Sequence, residues 1–233
     1  MNNEKRILEV CSGSLQSVIN AVEGGAERIE LCSALSLDGL TPSIGLLMEV
    51  RKMFPKLKIH VLIRPREGDF VYSDEELSVM IRDIKASLPY ADGIVSGALT
   101  RENRIDREAT CRLIEASGGK PFTFHRAFDC CKEPLQAIQQ LISMGVNRVL
   151  TSGQQATAES GIPLLRELVA AGKADATNQL IVMPGGGVNA ANARRILDET
   201  GAVEIHGSCS SLQENGRKET SAETVKAVLN NIK

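Results

Sequence analysis

Several short apolar segments of this sequence carry polar residues at every second position, where a strand covered on both faces would be apolar. Residues of equal parity on a strand point to the same face, so these side chains can gather inside one structure. Burying an ionised carboxylate costs several kcal/mol unless it is paired or solvated. The spacing therefore predicts a functional site. The residues concerned are Glu9 and Cys11, Glu30 and Cys32, His60 and Arg64, Thr123 and His125, and Glu204, His206 and Ser208.

All three histidines of the chain, His60, His125 and His206, lie in these segments. Histidine is suited to proton transfer near neutral pH and is a common metal ligand. An arginine can orient a carboxylate or phosphate bidentately. The candidate catalytic residues are Glu9, Glu30, His60, Arg64, His125, Arg126 and Asp129. The alternative for the charged residues is a buried network that only fills the interior.

Two cysteines, Cys11 and Cys32, end the first two apolar segments with matched parity, so their thiols could approach each other. Thiolate is a soft ligand that favours Cu(I) and zinc. These residues are the candidate metal ligands. The alternative is that both are small buried apolar side chains. The six cysteines form no C-x-x-C pair, and we expect them to stay reduced rather than to form a disulfide framework.

A run of three glycines, Gly185, Gly186 and Gly187, follows the apolar segment Leu180–Met183, the seventh along the chain, and precedes a helical pattern. Loops at this position of a (β/α)₈ barrel often bind phosphate through backbone N–H groups. We predict that the three glycines, with Ser208 after the eighth segment, bind a small anionic ligand. A tight turn that needs small residues is the alternative.

Short runs rich in Val, Ile and Leu alternate with segments of helical periodicity along the whole chain. About eight strand–helix units result, the number that closes a parallel sheet into a barrel. The predicted strands are Ile7–Cys11, Arg28–Cys32, Lys58–Arg64, Gly93–Ala98, Phe122–Ala127, Arg148–Thr151, Leu180–Met183 and Val203–Gly207. The predicted helices are Leu15–Glu23, Ile44–Met53, Asp74–Ser87, Arg107–Ala116, Pro134–Ser143, Ile162–Ala171, Ala190–Glu199 and Ala222–Asn231.

The joints between helices and strands repeat a glycine followed by an apolar residue, as at Gly24–Ile29, Gly145–Val149 and Gly201–Ile205. Glycine ends a helix cheaply in the left-handed conformation. Reuse of one joint indicates one repeated unit, so we predict a single (β/α)₈ TIM-like barrel domain over residues 1–233. A doubly wound open sheet is less consistent with this sequence, because no G-x-G-x-x-G motif follows the first strand.

The chain has 233 residues, 24% of them charged, with a formal net charge of −2. This balance lacks the concentrated positive charge that nucleic-acid binding needs. The amino terminus has no signal-peptide pattern, and no stretch reaches the roughly 18 apolar residues of a membrane span. We therefore expect a cytoplasmic protein without nucleic-acid or membrane partners.

Four motifs together resemble the CutC family of copper homeostasis proteins: Arg28–Ser33 (RIELCS), Ile63–Phe70 (IRPREGDF), Phe122–Asp129 (FTFHRAFD) and Met183–Gly187 (MPGGG). The resemblance covers nearly the whole chain. It implies a cytosolic TIM-like barrel that forms homodimers and binds Cu(I) through Cys11 and Cys32. One departure is at Ser208, which Cys209 follows where family members often have Ser-Ala-Arg.

Two functions stay open at this point. The first is a copper homeostasis protein of the CutC type that binds Cu(I) through the two cysteines. The second is a TIM-barrel enzyme, such as an isomerase, lyase or aldolase, that acts on a small anionic metabolite, phosphorylated metabolites included. The polar residues fit acid–base catalysis, but they indicate no particular reaction.

Overall fold

The computed structural model describes residues 5–174, 179–212 and 216–233. In these residues eight parallel strands alternate with eight α-helices. The strands are β1 Ile7–Ser12, β2 Arg28–Leu31, β3 Lys58–Leu62, β4 Gly93–Ser96, β5 Phe122–Phe124, β6 Arg148–Thr151, β7 Ile181–Pro184 and β8 Glu204–Gly207. The helices are α1 Leu15–Glu23, α2 Ile44–Met53, α3 Asp74–Ser87, α4 Arg107–Ala116, α5 Pro134–Ser143, α6 Ile162–Gly172, α7 Ala193–Thr200 and α8 Ala222–Ile232.

The sheet has the order β7-β6-β5-β4-β3-β2-β1-β8, so consecutive strands are neighbours and β1 joins β8. The remaining seam, between β7 and β8, closes through a parallel bridge between Gly185 and His206. A Cβ atom at position 185 would lie 2.5 Å from Leu150 and 3.2 Å from His206, which explains the glycine there. This topology confirms the predicted (β/α)₈ barrel.

The main apolar core lies between the barrel wall and the outer helices. Successive residues of a strand face opposite sides. Leu8 and Val10 of β1 therefore belong to this core, while Glu9 and Cys11 face the barrel interior. Burial of apolar surface against the helices drives folding and leaves the interior face available for polar groups, which it holds together with a small apolar cluster of Cys11, Cys32, Leu62 and Val95.

Two local differences from the predicted elements are informative. β5 ends at Phe124, and a 3₁₀ helix over Arg126–Cys130 follows it, because the His125 ring accepts a hydrogen bond from the Ala127 N–H and turns the chain. Two further strands, β9 Ser210–Leu212 and β10 Lys218–Thr220, form an antiparallel hairpin that the sequence analysis did not predict.

The hairpin is fastened to the start of α1 by Glu219, whose carboxylate accepts a hydrogen bond from the Ser14 hydroxyl at 2.6 Å. Such a contact between residues far apart in sequence leaves no periodic signal in the sequence.

The limits of the other helices and strands differ from the predicted limits by a few residues. Within the described residues, no helix is long and apolar enough to cross a membrane.

Candidate functional site

A layer of paired charges fills the amino-terminal half of the barrel interior. Arg28, Arg148 and Glu204 are the first residues of their strands, and both arginines donate hydrogen bonds to the Glu204 carboxylate. The Arg28 Nε atom also lies 2.8 Å from Glu9 Oε2. Burial by itself would raise the pKa of Glu204, but the hydrogen bonds from Arg148 and Arg28 outweigh it and hold the pKa below its ordinary value. We call these four residues the paired layer.

Glu9 also contacts two histidines. Its carboxylate oxygens lie 2.8 Å from His60 Nδ1 and 3.1 Å from His206 Nδ1. Burial favours a raised pKa for Glu9, yet the hydrogen bonds from His206 and His60 and the charge of Arg28 place the pKa well below the ordinary value. The His60 ring fits because its neighbour is Gly93, where a Cβ atom would lie 2.6 Å from the ring.

A cavity of about 610 Å³ opens at the carboxyl ends of the strands. The residues predicted from sequence that line this cavity are Cys11, Glu30, Arg64, His125, Arg126, Asp129, Gly186, Gly187 and Ser208. Glu9 and His60, expected towards the mouth, lie deeper in the barrel and contact each other. Gly185 and Cys32 are also outside the lining, since Gly185 closes the barrel seam and Cys32 is fully buried.

One wall of the cavity carries the Cys11 sulfur atom, and the Cys32 sulfur atom is buried behind it. Cys11 Sγ lies 3.7 Å from Cys32 Sγ and donates a hydrogen bond to Glu30 Oε1 at 3.6 Å. A ligand atom of Cys11, one of Glu30 and one of His206 all lie within 4.8 Å of one another. Behind Cys11, Cys32 packs in a small apolar cluster with Leu62 and Val95. We call Cys11, Cys32, Glu30 and His206 the sulfur wall.

The sequence placed His206 among the polar residues of the predicted site, but His206 was not one of the candidate catalytic or metal-binding residues. Its Nδ1 atom faces Glu9, so Nε2 is the nitrogen available to a ligand. Burial lowers the pKa of His206, but hydrogen bonds with Cys11 and Glu9 raise it more, and the net pKa lies well above the ordinary value.

The other two titratable groups facing the cavity from the sulfur wall have raised pKa values. The hydrogen bond with Cys32, burial and the charge of Glu30 raise the pKa of the Cys11 thiol well above its ordinary value. Burial likewise raises the pKa of Glu30, whose Oε2 atom has no hydrogen-bond partner among the described residues. A ligand that supplies positive charge here would relieve both effects.

The opposite wall contains Arg64, His125 and Phe70. The Arg64 guanidinium lies over the Phe70 ring, 5.1 Å from its centroid, and the Phe70 and His125 centroids are 5.0 Å apart. Burial and the charge of Arg64 lower the pKa of His125 to about 3, so its ring is neutral at pH 7. Arg64 donates hydrogen bonds to three backbone carbonyl groups, those of Leu37, Gly39 and Gly68.

Arg126 and Asp129 form an ion pair at the rim of the cavity, with Nε and Oδ2 2.8 Å apart. Asp129 also accepts hydrogen bonds from the Thr151 hydroxyl and from the backbone N–H groups of Ser152 and Gln154. Both of its oxygens are therefore occupied, and in this structure it holds Arg126 and the loop after β6 in place.

A second cavity, of about 710 Å³, lies at the amino-terminal end of the barrel. It is larger than the first, but its charged lining forms surface ion pairs, such as Lys5 with Glu27 and Arg6 with Asp198. It contains none of the residues predicted from sequence to do chemistry. The carboxyl-end cavity is thus the candidate site. All six cysteines of the chain are free thiols.

Comparison with known proteins gives the chain a family. The CutC family model matches residues 6–211. A copper homeostasis protein cutC homolog of Homo sapiens is 46% identical over 213 residues, 91% of this chain and 76% of that protein. A CutC family protein of Bacteroides thetaiotaomicron is 46% identical over 204 residues, 87% of this chain and 80% of that protein.

A solved structure agrees with the sequence comparison. A CutC protein from Streptococcus agalactiae superposes with a TM-score of 0.81 at 35% identity, covering 87% of this chain and 98% of that one. The barrel, the predicted motifs and these matches lead to one conclusion: this chain belongs to the CutC family.

Proposed function

We propose that this protein acts in copper homeostasis and binds Cu(I) through Cys11 and Cys32 in the sulfur wall. The observation that carries the proposal is the 3.7 Å approach of the two Sγ atoms at the carboxyl ends of neighbouring strands. Thiolates prefer soft cations such as Cu(I) over the hard cations that carboxylates bind. The names of the human and mouse relatives, which describe copper homeostasis, support the same function.

The surroundings of the two sulfur atoms support a soft metal. Leu62 and Val95 form a buried apolar cluster with Cys11 and Cys32, so one side of the sulfur pair is shielded from water. His206 can add a third ligand through Nε2, because Glu9 holds its Nδ1 atom. A carboxylate behind a ligating histidine orients the ring and raises its basicity. Glu9 is a positioning residue in this proposal, since it acts through His206.

The alternative enzyme function lacks a comparable observation. Of the acid–base residues predicted from sequence, Glu9 and His60 are below the cavity, and Asp129 is engaged with Arg126. The curated relatives are named for copper homeostasis rather than for a reaction. Cytoplasmic location, a homodimer and a single domain over residues 1–233 stay predictions from the sequence and its resemblance.

Replacing both Cys11 and Cys32 by serine should abolish Cu(I) binding, since a hydroxyl is a hard and weak ligand for this ion. The measurement is competition with a chromogenic Cu(I) chelator under reducing conditions. The matched control is the double variant Cys111→Ser and Cys130→Ser, which removes two exposed thiols outside the sulfur wall. Circular dichroism checks that each variant is folded.

Wild-type affinity in the folded Cys11→Ser and Cys32→Ser double variant would exclude these residues as the principal ligands. Loss of affinity in the control variant instead would move the copper site to the exposed thiols. A size-exclusion measurement with light scattering on the same wild-type sample tests the predicted homodimer.

A further inference from the structure

The carboxyl-end cavity is larger than a copper ion needs. Its volume of about 610 Å³ falls in the range of roughly 300–1,000 Å³ that is usual for pockets that bind organic molecules. The sulfur wall occupies one side of it. The other side presents Arg64, His125 and Arg126, which have no part in the proposed copper site.

Arg64 is a buried cation without a matching anion. It is 5% exposed, and no carboxylate of the described residues lies within ion-pair distance of it. Its three carbonyl partners satisfy hydrogen bonds but leave the positive charge uncompensated. An unpaired charge in a buried position costs several kcal/mol, so the arrangement favours a negative group in the adjacent cavity.

His125 adds a hydrogen-bond donor to the same wall. Its Nδ1 atom accepts from the Ala127 N–H, so the neutral ring carries its proton on Nε2. The Nε2 atom is buried and has no hydrogen-bond partner among the described residues. A buried donor without an acceptor is unfavourable, and an oxygen atom of a ligand in the cavity would satisfy it.

Arg126 and the loop at Gly186 and Gly187 supply hydrogen-bond donors at the rim of the cavity. The Arg126 side chain is 46% exposed, and its Cζ atom lies 3.7 Å from the place where a Cβ atom of Gly186 would be. Asp129 and Ser152 accept hydrogen bonds from Nε and Nη2, and Nη1 makes no hydrogen bond with the described residues. Glycine at position 186 therefore lets a bound group approach both the guanidinium and the loop backbone.

The negative groups on the cavity lining do not compensate the charge of Arg64. Glu30 belongs to the sulfur wall, where it accepts a hydrogen bond from Cys11. Asp129 is already paired with Arg126, and Asp38 is exposed to solvent. Arg64 therefore remains without a counter-charge inside the described part of the chain.

We propose that this cavity binds a small organic phosphate. Its phosphoryl group lies against Arg126 and the Gly186–Gly187 loop, where the negative charge compensates Arg64 and a phosphoryl oxygen accepts a hydrogen bond from His125 Nε2. A phosphoryl group suits the site because it offers three acceptor oxygens and up to two negative charges to several donors. The phosphate site uses residues that the proposed copper site does not use, so an experiment can contradict one proposal and leave the other standing.

Isothermal titration of the metal-free, reduced full chain tests the proposal with glycerol 3-phosphate and inorganic phosphate as probes. Malonate serves as a carboxylate probe and glycerol as an uncharged control. Both phosphates should bind, with glycerol 3-phosphate the tighter, and both should raise the melting temperature, because a ligand of the folded state stabilises it. Glycerol should do neither.

Two cavity variants and a matched control locate the binding. Arg64→Gln and Arg126→Gln should each weaken glycerol 3-phosphate binding at least about tenfold, since each removes a charged donor. Arg82→Gln removes a positive charge from the exposed face of α3 and should bind as the wild type does. If Arg64→Gln does not fold, Arg126→Gln decides the outcome, because its side chain is half exposed.

Absence of binding by both phosphates at millimolar concentration would overturn the proposal, as would unchanged affinity in Arg126→Gln. Binding of malonate in place of the phosphates would overturn the phosphate assignment and make the ligand a carboxylate. Cu(I) affinity measured by chelator competition in Arg126→Gln should equal that of the wild type, and its loss would contradict the separation of the two sites.

Discussion

The paired layer and the lining of the carboxyl-end cavity above it both contain glutamate and arginine side chains, but these side chains have different partners. In the paired layer, Glu204 receives hydrogen bonds from both Arg28 and Arg148. In the cavity lining, Glu30 Oε2 and His125 Nε2 have no hydrogen-bond partner among the residues that the structure describes, and none of those residues forms an ion pair with Arg64. A charged residue inside a barrel therefore indicates a ligand site only when its polar atoms or its charge are left uncompensated by the protein.

This comparison predicts the largest effect for the paired layer. Glu204→Gln keeps the side-chain shape but leaves Arg28 and Arg148 short of negative charge in a buried position. Breaking a buried ion pair by removal of one partner costs about 3–5 kcal/mol. We expect a decrease of that size in the free energy of unfolding, measured by urea denaturation at pH 7.

The control for Glu204→Gln is Glu199→Gln on α7, which breaks a surface ion pair with Arg195 and should cost about 1 kcal/mol or less. The pKa of Glu204 lies below its ordinary value in the folded protein, so its stabilising contribution is present at pH values above the unfolded-state pKa. That contribution is lost as pH falls through the folded-state pKa. The difference between wild type and variant should therefore shrink on acidification, and a difference that grows would contradict the pairing.

A second variant tests the residue that joins the two regions. Glu9 contacts Arg28 in the paired layer and His206 in the sulfur wall. Loss of a carboxylate behind a ligating histidine typically lowers metal affinity about 10–100-fold. Glu9→Gln should therefore weaken Cu(I) binding by that factor in chelator competition.

Glu204→Gln provides the comparison for Glu9→Gln, provided that it folds, because it disturbs the paired layer without contact to His206. Its Cu(I) affinity should stay near that of the wild type. Equal affinities in wild type and Glu9→Gln would mean that His206 is not a ligand or does not depend on Glu9 for its orientation.

The smallest effect is expected at Glu30. Its Oε2 atom has no partner among the described residues, and the amide oxygen of a glutamine can still accept the hydrogen bond from Cys11. Residues held for function rather than packing often leave a site less stable than it could be. Glu30→Gln should thus keep the stability or raise it by about 1 kcal/mol, measured by thermal unfolding. A loss comparable with that of Glu204→Gln would place Glu30 among the structural pairs.

Much of the fold could be predicted because its signals are local. Each strand is a short apolar run, and the glycine joints repeat, so eight units and a closed barrel follow from the sequence. The end of β5 could not be predicted this way. It depends on the His125 ring, which caps the 3₁₀ helix instead of continuing the strand.

The site was predicted in part. Parity correctly placed Glu30, Cys11 and His125 on the barrel interior, and these residues line the cavity. Odd or even position along a strand does not show how deep a side chain lies in the barrel, because that depth depends on how neighbouring strands are staggered. In β1 and β2, for example, Cys11 is level with Glu30, while Glu9 is level with Arg28. That stagger puts Glu9 in the paired layer.

The sequence by itself determined the barrel, the face on which each strand residue lies and the membership of a family, because these depend on periodicity and on motifs that are local. The tertiary structure alone decided which polar groups are paired. His206 contacts Glu9, which is 197 residues away in the sequence, and Arg28 contacts Glu204, which is 176 residues away. Both contacts need the β1–β8 seam to close, and only a closed barrel brings the first and last strands within hydrogen-bond distance.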